Sequence, residues 1–228
     1  MDYVDYYCER VAPGPWGEPV NALTNFAFLI ASGLLFCLLS RQPRRAPVSI
    51  WLLPGTTAAV GLCSLAFHVF ATSFTGLLDT VSIAVFILIA AVVTVHQVWN
   101  VPWRWVWLVA PGCLAFALGL TAALAGIGVR TVMGGYLSAL ILLIGFGLAI
   151  RGAVAAELRR FGTLLLWAAA LFASSLTLRT LDGPLCAELP VGTHFLWHCL
   201  NATVMFLVGY TVVQCWLIFG DEEPVRRG

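Results

Sequence analysis

The feature that most constrains this chain is a succession of about seven apolar stretches, near 21–40, 50–70, 77–98, 106–127, 133–151, 161–180 and 191–219. A helix rises about 1.5 Å per residue, so roughly 20 residues cover a hydrocarbon core about 30 Å thick. In that medium each backbone N–H and C=O must be satisfied inside the protein, and only helices and closed barrels achieve this. Stretches of this length suit helices. The expected fold is therefore an all-α bundle of seven transmembrane helices in one domain covering 1–228, with 1–20 an outer amino-terminal segment and 220–228 a cytoplasmic tail. Composition agrees: 61% of the residues are hydrophobic and 10% are charged, against about 25% charged in a soluble domain. A formal net charge of +1 supplies no global field for nucleic acid. The first twenty residues are polar and acidic, unlike the basic-then-apolar pattern of a cleavable signal peptide.

Breaks between the stretches are short. Arg41-Gln42-Pro43-Arg44-Arg45 closes the first, 71–76 turns between the second and third, Asn100-Val101-Pro102 closes the third, and Asp182 to Pro190 separates the last two. Connections this short predict antiparallel neighbours. Trp99, Trp103, Trp105 and Trp107 cluster as an interfacial belt. Arg41, Arg44, Arg45, Arg104, Arg151, Arg159, Arg160, Arg226 and Arg227 fall on one side of the expected topology; Arg10, Arg130 and Arg179 fall on the other. The positive-inside rule then puts the amino terminus outside and the carboxyl terminus in the cytoplasm.

This topology brings a few polar residues to one depth. His68 ends the second stretch, Asp79 lies at the start of the third, and His194 and His198 open the seventh. All four fall near the non-cytoplasmic face. Titratable groups are costly in a membrane and ask for a reason. His194 and His198 are i, i+4, so their rings share one helix face about 6 Å apart. Three imidazoles with a nearby acid suit an open zinc site of three protein ligands and a water. Asp79 reads as a cap of the third helix, as a general base on the water, or as both. Ser64 is one turn before His68; its hydroxyl can serve the water or a developing oxyanion, or bond its own helix backbone. His96 lies near the opposite end of the third stretch, about 25 Å from Asp79, and reads as an interfacial side chain.

The runs Gly61-Leu62-Cys63-Ser64-Leu65-Ala66-Phe67-His68, Leu77-Leu78-Asp79 and His194-Phe195-Leu196-Trp197-His198 resemble the alkaline ceramidase family, as do Tyr7-Cys8-Glu9 and Glu18-Pro19-Val20-Asn21-Ala22-Leu23-Thr24-Asn25. The wider superfamily includes adiponectin-receptor-like proteins. The resemblance implies a seven-helix zinc amidase that cleaves ceramide-like membrane lipids to a sphingoid base and a fatty acid by a zinc-activated water. It implies His68, His194 and His198 as zinc ligands, Asp79 as the residue that orients or deprotonates the water, and Ser64 as an aid to the tetrahedral intermediate. A bacterial inner membrane and a eukaryotic internal membrane both fit.

The family also carries a calcium site in an Asp-Trp-x-Glu-x-Asn run with a later Glu. Here Glu9 and Glu18 match, but Tyr6 and Val11 hold the Asp and Asn positions. Calcium wants six to eight oxygens. The alternative for these acids is a solvated tail or a salt bridge to Arg10, whose charge can replace that of the cation.

Of seven cysteines, Cys37, Cys63, Cys113, Cys199 and Cys215 lie inside apolar stretches and read as small packing groups. Cys8 and Cys186 lie in outer segments, where oxidation is permitted, and are expected to form a disulfide; two free thiols are the alternative. Three other functions compete: a receptor on the same scaffold or a hydrolase of another acyl lipid, a haem-binding electron carrier using His68 and His194, and a transporter with a structural metal. Short tails favour an enzyme over a receptor, and the absence of charge pairs across the midplane disfavours a transporter.

Overall fold

The computed structural model describes residues 2–128, 135–152 and 156–219. Arg130, Arg226, Arg227, the expected tail and the first residues of the stretch near 133 lie outside the described residues. The described chain is helical, with a single isolated bridge, Tyr3 to Thr72, and no strand. Its α-helices are α1 (Pro19–Thr24), α2 (Phe26–Ser40), α3 (Val48–Phe70), α4 (Ser73–Trp99), α5 (Trp103–Val106), α6 (Val109–Gly126), α7 (Tyr136–Arg151), α8 (Ala156–Leu181) and α9 (His194–Phe219). Among the described residues, six helical stretches are long and apolar enough to cross a membrane, α1 with α2 and α5 with α6 each counting as one. The chain is thus a multi-pass membrane protein. Helix α7 is apolar but has only 16 residues.

Local chemistry moves several boundaries from their expected places. The first stretch is two helices. Thr24 donates its hydroxyl hydrogen back to the Val20 or Asn21 carbonyl, and the Asn25 side-chain amide donates to the Asn21 carbonyl. Such back-bonding competes with helix propagation, and the break falls at Asn25. The third stretch starts earlier than hydropathy suggests. Thr72 and Thr75 form a reciprocal capping box, so α4 begins at Ser73 and the turn from α3 shrinks to Ala71 and Thr72. Ala71 caps α3 in the left-handed region, φ 49°, with its N–H donating to the Phe67 carbonyl. Asp79 therefore lies in the second turn of α4 and does not cap it.

Helices α2, α3, α4, α8 and α9 enclose the core, with Phe28, Leu35, Leu53, Val60, Phe161, Leu176 and Val212 among its buried residues. Leu34, Phe36, Leu62, Leu118 and Trp167 point outward, as expected of side chains meeting lipid tails. Helix α6 is peripheral, with Cys113 its one buried residue. Gly61 permits the approach of α2 to α3, because a Cβ there would lie 2.8 Å from the Phe28 Cβ. Helices α1 and α2 also pack against α9, and Thr24 of α1 reaches His198 near its start.

Candidate metal centre at one end of the bundle

Helix α3 ends, and α4 and α9 begin, at the same end of the bundle. The turn from α3 to α4 is one anchor for the amino-terminal segment: Val4 N–H donates to the Ala71 carbonyl and Ser73 N–H to the Asp2 carbonyl. The loop from α8 to α9 is the other. Cys8 and Cys186 are joined in a disulfide, with their Cα atoms 5.2 Å apart. Cys8 N–H also donates to the Asp182 carboxylate at 3.0 Å. The other oxygen of Asp182 accepts from Thr193 N–H at 2.7 Å and His194 N–H at 2.9 Å, the first amides of α9. An acid there satisfies orphan donors and suits the positive end of the helix dipole. Gly192, φ +69°, lets the loop lie close against Asp182. Asp182, expected only as part of a loop break, thus fixes where α9 starts and where His194 stands.

The three histidines converge and are buried. One ligand-capable nitrogen from each of His68, His194 and His198 lies within 4.8 Å of the others, and this is the one such group found among the described residues. The ring centroids of His198 are 4.7 Å from those of both His68 and His194. His68 Nε2, His194 Nδ1 and His198 Nε2 are each buried without a hydrogen-bond partner. The opposite nitrogens of two rings are occupied. His68 Nδ1 contacts the Glu18 carboxylate, and His198 Nδ1 lies 2.9 Å from the Thr24 hydroxyl. With Nδ1 turned to the Glu18 carboxylate, Nε2 of His68 faces the other two rings. Three buried ring nitrogens with no hydrogen-bond partner form a ligand set that fits zinc, and an outer carboxylate on the far nitrogen is a common companion of a metal-bound imidazole. The His68 and His194 ring centroids are 5.3 Å apart, too close for imidazoles on opposite faces of a porphyrin.

Asp79 Oδ1 is buried and has no hydrogen-bond partner. Its carboxyl group interacts with the Ser64 hydroxyl, and His68 and Arg179 lie within electrostatic reach. Tyr7 stacks on the His194 ring at 3.6 Å and contacts Arg179. Burial pushes the Tyr7 phenol above its ordinary range, opposed by the nearby Arg179 guanidinium. Arg179 lies 5.5 Å from the Tyr136 ring and 5.3 Å from the Trp197 ring. These residues line an opening beside the histidines, with Tyr7, Asp79, Tyr136, Arg179 and Trp197 around it. A second space of about 90 Å³ lies deeper in the bundle. Its lining is apolar except for Thr94 and Asn201, and it runs past Phe28, which meets His198 edge-on at 6.3 Å. His96 is far from this centre, held by the Val101 carbonyl and tilted against the Trp103 ring at 4.2 Å.

A family model described as Ceramidase matches residues 5–224, nearly the whole chain. The chain belongs to the ceramidase family. No curated protein matches it. Membership in the ceramidase family implies a hydrolase of lipid amides, and the ceramidase-like runs around Ser64, His68, Asp79, His194 and His198 are the segments that meet at this end of the bundle.

The calcium expectation fares differently. Glu9 accepts from Val20 N–H at 2.6 Å and Asn21 N–H at 2.8 Å, which uses both of its oxygens at the start of α1. Glu18 pairs with Arg10 and His68. Tyr6 and Val11 are 67% and 82% exposed, and their side chains bring no carboxylate or amide oxygen. These residues do not fit a calcium ion.

Proposed function

We propose that this protein is a zinc-dependent amidase that hydrolyses the amide bond of ceramide-like lipids to a sphingoid base and a fatty acid. The observation that carries this reading is the trio of buried, partnerless nitrogens on His68, His194 and His198. These three side chains would hold the ion. When bound, zinc supplies a water whose pKa falls toward about 7 and a Lewis acid that polarises the amide carbonyl. Asp79 Oδ1, lacking a partner, accepts the proton of the attacking water and returns it to the amide nitrogen as the C–N bond breaks, so that the base leaves as an amine. Ser64 orients Asp79 and stands beside the developing oxyanion. The apolar space past Phe28 receives the acyl chain, and the opening around Tyr136, Arg179 and Trp197 faces the polar end of the lipid. Tyr7, packed on His194, helps keep bulk water from the ring.

We further read the bundle as seven crossings, with α7 as the short one: 16 residues rise about 24 Å. Among the described residues, Arg41, Arg44, Arg45, Arg104, Arg151, Arg159 and Arg160 belong to the end away from the histidines, which favours a cytoplasmic assignment for that end. The Cys8–Cys186 disulfide supports a non-cytoplasmic setting for the metal centre.

The test is elemental analysis of detergent-purified protein, followed by incubation with a panel of N-acyl and O-acyl lipids of graded chain length. Zinc near one per chain with release of long-chain amine and fatty acid is expected. Protein that carries no zinc and binds none, or zinc-loaded protein that cleaves only esters, would refute the proposal.

A further inference from the structure

Arg10 is a buried guanidinium, 6% exposed, at the outer end of a membrane bundle. A buried charge persists only when it is paired and hydrogen-bonded. Arg10 meets that demand with oxygens, and its guanidinium also lies 5.8 Å from the Tyr3 ring. Its Nε pairs with one oxygen of Glu18, Nη2 donates to the His68 carbonyl at 3.0 Å, and Nη1 reaches the Ala12 carbonyl at 3.5 Å. The second oxygen of Glu18 meets His68 Nδ1 and accepts from the Asn21 side-chain amide at 3.0 Å. Both the ring and the carbonyl of His68 are therefore held through one cation. The segment that brings Arg10 there is pinned twice immediately upstream, by the Cys8–Cys186 bridge and by Glu9 on the first amides of α1.

We infer that Arg10 is a positioning residue that takes the place of a divalent ion in this chain. It holds Glu18 against His68, and so makes the metal centre independent of calcium. The inference rests on the zinc reading for its effect on the centre, and on the oxygen contacts of Arg10 for the cation itself. A guanidinium is always charged and presents a planar fork of donors, and unlike a bound ion it cannot dissociate. Glu18 then acts as the carboxylate behind a ligating imidazole, a role whose loss commonly weakens metal binding about 10–100-fold.

The experiment uses the full-length protein in detergent and reads zinc affinity by chelator competition, with elemental analysis and thermal melting. In wild type, calcium is absent by elemental analysis, and changing from calcium-depleted buffer to millimolar calcium alters neither the melting temperature nor zinc affinity. Arg10→Gln weakens zinc binding about 10–100-fold, Glu18→Gln does the same, and the double variant loses little more than the worse single, because both act through one chain of contacts. Arg10→Lys, which keeps the charge but loses the fork, falls between. Copurification of about one calcium per chain, or a saturable rise in melting temperature with calcium, would overturn the inference, and both read on wild type even if Arg10→Gln fails to fold. Wild-type zinc affinity in folded Arg10→Gln would overturn it as well. Failure of the zinc reading has a different signature: wild type that binds no zinc, whatever calcium does.

Discussion

Thr24 decides which nitrogen of His198 faces the metal centre. Its hydroxyl has one hydrogen and two lone pairs. It contacts the Val20 carbonyl at 2.9 Å, the Asn21 carbonyl at 3.0 Å and His198 Nδ1 at 2.9 Å. Carbonyls only accept, and the arrangement that serves one of them while the ring N–H also faces the Asn21 backbone gives the single hydrogen to a carbonyl. The contact with the ring must then run the other way, with Nδ1–H donating to Thr24 and the lone pair left on Nε2. Thr24→Val keeps the shape and removes the acceptor. A buried donor left without its partner costs about 1–3 kcal/mol. The Asn21 carbonyl also lies within reach of the ring and offers partial replacement. The lower end therefore applies, and at about 1.4 kcal/mol per factor of ten the expected loss of zinc affinity is roughly tenfold. The assay is competition with a chromophoric chelator on purified protein, with melting curves to verify folding and Thr24→Ser to restore the contact. Zinc affinity of the valine variant within about twofold of wild type, or a serine variant as weak as valine, would refute this account of the tautomer.

Asp79→Asn is expected to retain zinc at full stoichiometry and to lose about 10²–10⁴-fold in turnover, the usual contribution of a proton carrier; unimpaired turnover in a lipid-amide assay would remove the residue from the chemistry. Replacing Cys8 and Cys186 together by Ser opens a link between residues 178 apart in sequence, and a loss of about 2 kcal/mol or more is expected as a lower melting temperature. Identical melting of wild type with and without reductant would show that the bridge adds nothing.

Sequence reading reaches the histidines because helix length converts position into depth. Once the breaks are short and the crossings antiparallel, the end of the second stretch and the starts of the third and seventh must share one end of the bundle, and His68, Asp79, His194 and His198 follow. Hydropathy is blind to caps, which is why α4 starts at Ser73 and Asp79 is left without a capping role. The Thr72-x-x-Thr75 pattern is the signal that could have corrected it. Glu18 was visible as an acid but not as the partner of His68, fifty positions away. The salt bridge to Arg10 was legible as one alternative for the acids, but Tyr7 and Asp182 escaped assignment for the same reason as the Glu18–His68 contact: they act through the docking of an aperiodic segment, and periodicity says nothing about where such a segment lands.

That docking also explains how apolar and polar contacts divide the labour here. The bundle holds together through close packing of residues such as Phe28, Leu35 and Val60, which would tolerate many exchanges of similar volume. A buried pair such as Arg10 and Glu18 adds little net stability, because desolvation offsets its attraction. What the pair supplies is geometry, since removing either partner strands a charge and the ring of His68 with it. The two classes of substitution should therefore separate experimentally: core exchanges move the melting temperature while leaving zinc affinity intact, and changes in the amino-terminal polar chain move zinc affinity first. The bundle thus provides the three helix ends, and the segment folded over them decides where the rings point.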